Sequence, residues 1–306
     1  MHKINRRRFL TLSIKGLIIL KVASPNLFAE NDNNIVSNGI ASKVVQVQGA
    51  DCVKLINKAF DNIGGLKKYI NKGDVVAIKP NMSFAKEPIY AANTNPEVVG
   101  EMVKLCFENG AKKVYVIDNT LTDSRMAYQL SGIAKAAATN GAEVVFPLNR
   151  YFEEVNINGK FLKKWEAFRF FLEADKIINM PVAKHHGSAQ LTCAMKNWLG
   201  AVGGARSRFH QSLNQSIYDL AVFFRPTLNV VDCTRVLLRN GPSGGSLKDV
   251  KVMNKILIST DQVAVDFVAA NLLNFNTNKI RYLAMGHRNK LGTMFKNDIE
   301  IVKVKS

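Results

Sequence analysis

The stretch from Lys176 to Tyr218 concentrates basic side chains and contains no Asp or Glu. Its basic residues are Lys176, Lys184, His185, His186, Lys196, Arg206, Arg208 and His210. Ammonium and guanidinium groups bind carboxylates and phosphates, and imidazole also binds metals. Residues 176–218, which we name the acid-free segment, therefore predict a site for an anion, a metal or both.

Lys196 is placed in this segment where it could do chemistry. Apolar residues at helical spacing predict one helix over Gln190 to Leu199, with Thr192, Cys193, Lys196 and Asn197 on the opposite side. The alternative is a solvated lysine on a surface helix. Small residues at 200–205 would let a ligand approach the backbone, and Arg206 and Arg208 follow them. The stretch matches neither nucleotide fingerprint, so the sequence does not support ATP or NAD.

The elements that must position these residues alternate between strand and helix. Short apolar runs predict strands at 74–79, 113–118, 143–146, 176–180, 227–232 and 252–259. Helical spacing predicts helices at 96–109, 124–140 and 261–273, and the alternating run 299–304 predicts an edge strand. We expect an α/β fold with a mostly parallel sheet, helices on both faces and a small β-hairpin insertion around 151–165.

Polar residues follow four of the predicted strands. Lys79 and Asn81 follow the first, Asp118 the second, Lys184 a later one, and Asp232 ends another. Ligands of parallel sheets bind at the carboxyl ends of strands, so these residues predict a shared cleft. Each of them alone is also compatible with an ordinary turn or cap.

Roles follow from side-chain chemistry. We expect Lys79, Asn81, Lys184, Asn197, Arg206 and Arg208 to bind the ligand. His186 and His210 would transfer protons, because imidazole titrates near neutral pH. Lys196 would hold the anion, or would react with a carbonyl or a cofactor ring if burial lowers its pKa.

Metal chemistry has less support. Two adjacent side chains in an extended loop point apart, so His186 would face the cleft and His185 would pack or cap. His210 would be the second imidazole, and Asp232 or Asp266 would orient one of the two. Two histidines and a carboxylate would suit a transition metal. The sequence has no His-x-x-x-His pair, and we assign no metal ligand.

The first 29 residues predict an export signal. Asn5-Arg6-Arg7-Arg8-Phe9-Leu10 resembles a twin-arginine motif, and a moderately apolar run follows it. We therefore expect residues 1–29 to be a signal segment, 30–42 a linker, and 43–306 a single α/β domain. The twin-arginine machinery would be a partner, and the protein would reside in the periplasm or on the outer face of the cytoplasmic membrane. The alternatives are a basic tail and an uncleaved anchor.

Charge and cysteine content limit the classes of partner and cofactor that we expect this chain to bind. The formal charge is +18, and six of the Lys and Arg residues lie in the first 29 positions. A basic surface favours anionic partners, but no nucleic-acid-binding motif is present, so we expect no nucleic acid. The four cysteines, Cys52, Cys106, Cys193 and Cys233, form no Cys-x-x-Cys pair, which argues against an iron–sulfur cluster.

Several short motifs occur in a defined order: Lys79-Pro80-Asn81, Thr94-Asn95-Pro96, Lys184-His185-His186, Lys196-Asn197-Trp198-Leu199-Gly200 and Gly241-Pro242-Ser243-Gly244-Gly245. From about residue 72 to residue 273 the chain resembles the family named domain of unknown function 362. The resemblance implies a single α/β domain with a loosely defined biochemical role. Many members carry or neighbour ferredoxin-type cysteine clusters, which this chain lacks. Its layout of histidines, lysine and small residues is also similar, by analogy only, to nickel-pincer lactate racemase-like proteins.

These observations predict an exported enzyme or enzyme-like binder that acts on a small anionic substrate or cofactor of unknown identity. A non-catalytic protein that binds an anionic ligand or partner is the alternative. A metal or redox accessory protein with a redox partner is a third interpretation.

Overall fold

The computed structural model describes residues 42–306. The predicted signal segment and all but the last residue of the predicted linker lie outside the described residues. The first described strand starts at Ser42, which the sequence had placed in the linker.

An eight-stranded sheet organises the described chain. Its strands, in spatial order, are β12 (Ile299–Lys305), β1 (Ser42–Gln48), β11 (Val250–Ser259), β10 (Leu228–Leu237), β7 (Lys176–Met180), β2 (Val75–Pro80), β3 (Lys113–Ile117) and β4 (Glu143–Val145). Of these strands, β11 alone runs antiparallel to its neighbours. The predicted mostly parallel α/β sheet is confirmed, and β12 lies at an edge as expected.

Helices cover both faces of the sheet, as the sequence predicts. They are α1 (Cys52–Asp61), α2 (Pro96–Glu108), α3 (Ser124–Leu130), α4 (Ile133–Thr139), α5 (Arg169–Glu173), α6 (Ala194–Asn197), α7 (Leu213–Phe223), α8 (Gln262–Leu272) and α9 (Arg281–Arg288). Alternate residues of β2 point to opposite faces. Val76 and Ile78 belong to the apolar cluster that contains α1 and α2, whereas Ala77 belongs to the cluster that contains α7 and α8. No helix within residues 42–306 is long and apolar enough to cross a membrane.

Two antiparallel hairpins supplement the sheet. The first pairs β5 (Phe152–Asn156) with β6 (Lys164–Phe168), which confirms the predicted insertion. The second pairs β8 (Lys184–His186) with β9 (Gln190–Thr192) inside the acid-free segment.

The predicted helix over Gln190 to Leu199 is wrong. Residues 190–192 form β9, and α6 begins only at Ala194. The Asp266 carboxylate of α8 accepts hydrogen bonds from the amides of Ala194 and Met195, at 2.6 and 3.1 Å. A carboxylate at this position caps a helix start and fixes where the helix begins.

The predicted helix over 124–140 is interrupted. It consists of α3 and α4, separated at Gly132, whose φ of 73° lies in the left-handed region. Glycine adopts this conformation without the steric cost that other residues incur, so it permits the break between the two helices.

The order in which strands are added to the sheet reverses at β2. The chain proceeds from β2 to β3 and β4 on one side, and β7 and β10 lie on the other side. Such a reversal leaves a crevice at the carboxyl ends of the central strands. Lys79 and Asn81 lie there, at the end of β2 and directly after it.

Candidate functional site

A cavity of about 330 Å³ opens at this edge of the sheet. Six of the predicted site residues line it: Asn81, His186, Lys196, Asn197, Arg206 and His210. Lys79, Lys184 and Arg208 do not. No Asp or Glu of residues 42–306 lines it, so the described cavity wall consists of cations, neutral polar groups and apolar residues.

A buried ion pair supports the cavity from beneath. The Lys79 Nζ lies 2.7 Å from Asp118 Oδ1, and both side chains are almost completely buried. Asp118 Oδ2 also accepts a hydrogen bond from the amide of Met82 at 2.6 Å. Burial lowers the pKa of Lys79, and the Asp118 carboxylate opposes this change. Lys79 therefore has an internal counter-charge and a structural partner.

Asn197 connects α6 to the ends of β2 and β7. Its Oδ1 accepts hydrogen bonds from Lys79 Nζ at 3.3 Å and from Asn81 Nδ2 at 3.2 Å. Its Nδ2 donates to the Lys79 carbonyl at 3.0 Å and to Asn179 Oδ1 at 2.8 Å. A buried amide with all its groups bonded holds a unique geometry, and here it fixes the helix that carries Lys196.

Lys184 lies behind Asn81 rather than in the cavity wall. Its Nζ donates to Asn81 Oδ1 at 3.2 Å and to the Ala92 carbonyl, and lies 4.7 Å from the centroid of the Phe84 ring. Burial lowers the pKa of Lys184 well below its usual range, and the charge of Lys196 acts in the same direction. Lys184 orients the Asn81 amide.

His186 lines the cavity as a neutral ring. Its Nδ1 accepts hydrogen bonds from the amides of Ser188 and Ala189, each at 3.2 Å. The ring proton therefore lies on Nε2, and the Nε2–H is the free donor of the ring. Burial lowers the pKa of His186 to about 3, and the charges of Lys196 and Lys184 add to this effect. Its partner in sequence, His185, accepts a hydrogen bond from the amide of Gly241 at 3.1 Å.

Lys196 is a partly buried amine that forms no hydrogen bond or ion pair with any described residue. It lies on α6, whose start is fixed by Asp266 and whose end is held by Asn197. Burial lowers the pKa of Lys196 to about 8, and the charge of Lys79 acts in the same direction. A substantial fraction of this amine is therefore neutral near physiological pH.

The two arginines have different environments. Arg206 donates from Nη1 to the Asn119 carbonyl at 2.8 Å and from Nη2 to the Thr120 carbonyl. These bonds orient the guanidinium at the cavity wall while other N–H groups stay available. Arg208 is exposed, 5.6 Å from the centroid of the Trp165 ring. His210 is exposed as well, in the 3₁₀ turn Arg206–Ser212.

Gly200 lies directly against the buried ion pair. A Cβ at this position would lie 1.9 Å from Asp118 Oδ1 and 2.9 Å from Lys79 Nζ. The Gly200 carbonyl also accepts a hydrogen bond from the amide of Asn119 at 2.8 Å. The glycine of the Lys-Asn-x-x-Gly segment is therefore required by close packing.

Sequence reasoning missed Thr192 as a cavity residue. Thr192 is buried, lines the cavity, and its Oγ1 has no hydrogen-bond partner among the described residues. A helix would have placed it beside Lys196 on a surface, whereas the structure places it on β9 opposite Lys184. The signal that could have found it is the strand-like sequence Gln190–Thr192 following Gly187.

The two carboxylates expected to orient a histidine accept hydrogen bonds from backbone amides instead. Asp266 caps α6, as described above. Asp232 accepts hydrogen bonds from the amides of Asn95 at 2.7 Å and Thr234 at 2.8 Å. That expectation is wrong, because both carboxylates are used to hold backbone amides.

The cysteines do not fit an iron–sulfur cluster. All four are free, and Cys106, Cys193 and Cys233 are buried. Within residues 42–306 no three His, Cys, Asp or Glu side chains are grouped so that they could hold a metal ion. We derive no chemistry from such a cluster.

Comparison with known proteins places the chain in a family. The family described as "Domain of unknown function (DUF362)" matches residues 76–271. The chain belongs to this family. The match begins in β2 and ends in α8, so it contains both ends of the acid-free segment and the cavity.

Two further similarities accompany this match. The thylakoid-associated protein sll1697 of Synechocystis sp. is 25% identical over 238 residues, which cover 75% of this chain and 72% of that protein. The lactate racemase apoprotein of Thermoanaerobacterium thermosaccharolyticum aligns with a TM-score of 0.45 and 15% identity. That alignment covers 71% of this chain and 54% of the racemase, so the chain spans about half the length of that protein.

Proposed function

We propose that this protein is an enzyme that binds a small organic anion in the cavity at the carboxyl end of β2. One observation carries the proposal: Lys196 and Arg206 line a cavity that no Asp or Glu lines. Cations held in a partly buried site without a counter-charge are electrostatically unfavourable, and a bound anion removes that cost. A volume of about 330 Å³ lies at the lower end of the range found for small-molecule pockets.

The polar groups of the cavity divide into fixed donors and one titrating amine. The Nε2–H of His186 and the second N–H of Asn81 Nδ2, whose first donates to Asn197 Oδ1, would donate hydrogen bonds to a ligand, and neither group carries a charge. Lys196, with a pKa lowered to about 8, is the group that can gain or lose a proton near neutral pH. We therefore assign proton transfer to Lys196. This assignment differs from the sequence-based expectation for His186, whose pKa lies at about 3.

Anion binding is tested by thermal unfolding and calorimetry with malonate and with inorganic phosphate. A ligand at a hundred times its Kd stabilises the folded state by about 2.7 kcal/mol. We expect malonate to raise the Tm of the wild-type protein and to lose most of this effect in Lys196→Met. Lys163→Met is the matched control, because Lys163 is an exposed lysine outside the cavity. Equal stabilisation of both variants would contradict the proposed site.

Catalysis is separated from binding by identifying a retained ligand. Native mass spectrometry of protein purified from its own compartment gives the mass of any bound molecule, which then serves as the candidate substrate. Under the enzyme proposal, Lys196→Arg keeps measurable affinity for this molecule and loses turnover. If wild-type protein does not convert this molecule, the protein is a binding protein rather than an enzyme that acts on it.

We also propose that the chain is exported through the twin-arginine route. The motif that supports this proposal lies outside the described residues, at Arg6 and Arg7. Replacing both arginines by lysine is expected to retain the protein in the cytoplasm. Equal export of that double variant and the wild type would refute the proposal, and the intact mass of exported protein tests cleavage near Ala29.

A further inference from the structure

The cavity contains three polar groups for which residues 42–306 provide no partner to at least one donor or acceptor. They are the Lys196 amine, the Nε2–H of His186 and the Oγ1 of Thr192. The three residues lie on β8, β9 and the adjoining helix α6, which are consecutive in the chain. Buried polar groups in native proteins are usually bonded, so three free ones in one cavity point to a ligand atom among them.

Thr192 is the most informative of the three. It is 2% exposed, and it pairs with Lys184 across the β8–β9 hairpin, which fixes its position. A buried hydroxyl without a partner destabilises the folded state. A ligand oxygen bonded to Oγ1 would remove that unfavourable contribution.

The Lys196 amine has the surroundings of a nucleophile. Burial and the nearby charge of Lys79 both disfavour its protonation. The Asp118 carboxylate beneath the cavity is paired with Lys79. An amine without a counter-ion in a partly buried site has an accessible neutral form, and only that form attacks carbon.

We propose that Lys196 forms an imine with the carbonyl carbon of a small 2-oxo carboxylate. This proposal rests on the proposed function, because Arg206 and the other cavity donors would hold the carboxylate. The groups of the cavity suggest this class of substrate. The cations would bind its carboxylate, and the Nε2–H of His186 and the hydroxyl of Thr192 would bind its carbonyl oxygen.

The step balances without an oxidant or a reductant. The neutral Lys196 nitrogen forms a bond to the carbonyl carbon, and the π electron pair moves to the carbonyl oxygen. That oxygen takes up one proton from the attacking nitrogen, by way of the hydrogen-bonded cavity donors or water. A second proton, taken from solvent water, then allows it to leave as water, while the nitrogen lone pair forms the C=N bond. The product is a protonated imine next to a carboxylate, a species that activates the neighbouring carbon for proton loss.

Reductive trapping tests this inference with pyruvate as the probe. The full chain is incubated with pyruvate and cyanoborohydride, and its intact mass and peptide masses are measured. We expect a single adduct on the Lys196 peptide, with the mass of pyruvic acid less one oxygen atom. Lys196→Arg keeps the charge and should lose this adduct, whereas Lys163→Arg should retain it. Butanone, a ketone of similar size without a carboxylate, should label Lys196 at least tenfold more slowly.

Thr192→Val provides an independent readout. The valine has a similar shape and removes the unpartnered hydroxyl, so we expect a higher Tm without ligand and a trapping rate several-fold lower than in the wild type. An unchanged trapping rate would remove Thr192 from the proposed contact.

The outcomes separate this inference from the proposed function. If malonate stabilises the wild-type protein but pyruvate leaves no adduct, the imine is refuted and anion binding stands. An equal adduct yield in Lys196→Arg would also refute it, because the labelling would then be on other lysines. If malonate does not stabilise the protein and no adduct forms, both proposals fail.

Discussion

Replacing Gly200 by alanine tests the packing beneath the cavity most directly. The added Cβ would lie 1.9 Å from Asp118 Oδ1, whereas ordinary contact begins at about 3.4 Å. The methyl group and the oxygen must therefore separate by about 1.5 Å. The backbone of residue 200 resists this shift, because its carbonyl is bonded to the Asn119 amide at 2.8 Å.

The carboxylate cannot move freely either. Its two oxygens are bonded to Lys79 Nζ at 2.7 Å and to the Met82 amide at 2.6 Å. Overpacking alone costs about 1–3 kcal/mol, and separating a buried ion pair costs about 3–5 kcal/mol. Because a shift of this size breaks the Lys79–Asp118 contact, we expect Gly200→Ala to lower the free energy of unfolding by about 3–5 kcal/mol.

Urea unfolding followed by tryptophan fluorescence measures this loss. Trp198 is fully buried and stacks on Phe224, so its emission reports unfolding of this region. Gly245→Ala is the matched control, because a Cβ at Gly245 meets no atom within 4 Å. The control should change stability by less than about 0.5 kcal/mol.

A double-mutant cycle shows whether the loss acts through the ion pair. In an Asp118→Ala background the oxygen that the new methyl group meets is absent, so Gly200→Ala should cost at least about 1 kcal/mol less than in the wild type. Equal stabilities of Gly200→Ala and Gly245→Ala would refute the reasoning. An additive cycle would show that the loss does not arise from contact with Asp118.

Three further predictions follow from the titrating groups. Affinity for malonate should fall as the pH rises through about 8, where Lys196 loses its proton, and calorimetry at roughly pH 7 and pH 9 measures this; a flat profile would exclude Lys196 as the anion contact. Burial raises the pKa of Asp266 from 3.8 to about 7, so its contribution to stability is present at low pH and is lost as the pH rises through that window. Asp266→Asn should flatten this component of the urea midpoint between roughly pH 4 and pH 7, and an unchanged slope would exclude Asp266 as its source. A thiol reagent should modify Cys52 first and the three buried cysteines only on unfolding; rapid native modification of any buried cysteine would contradict the described packing.

Much of the fold could be predicted from local sequence patterns. The strand Lys176–Met180 was predicted with its observed bounds, and the helix at Gln262–Leu272 differs by one residue at each end. These elements are continuous apolar runs or periodic stripes bounded by a proline or by an Asp N-cap, and such signals are local. The order of the strands in the sheet was harder to predict, because β1 and β12 pair with each other although they lie at opposite ends of the domain sequence.

The region around Lys196 could not be predicted in this way. Its helical periodicity is real, but the start of α6 is fixed by Asp266, which lies more than seventy residues further along the chain. The pairing of β9 with β8 then takes residues 190–192 out of the helix. A long-range cap and a tertiary strand pairing together override a local pattern.

The cations of the acid-free segment have separate roles that their sequence spacing does not reveal. Lys184 is fully buried and donates a hydrogen bond to Asn81, so it holds the Asn81 amide in place at the cavity wall. His186 has Nδ1 occupied by two amides, so it acts as a neutral donor. Lys196 alone among these three combines access to the cavity with a pKa of about 8. A segment without acids thus leaves Lys196 as a cavity amine with no carboxylate partner among residues 42–306, whereas Lys184 and His186 are held by hydrogen bonds to their neighbours.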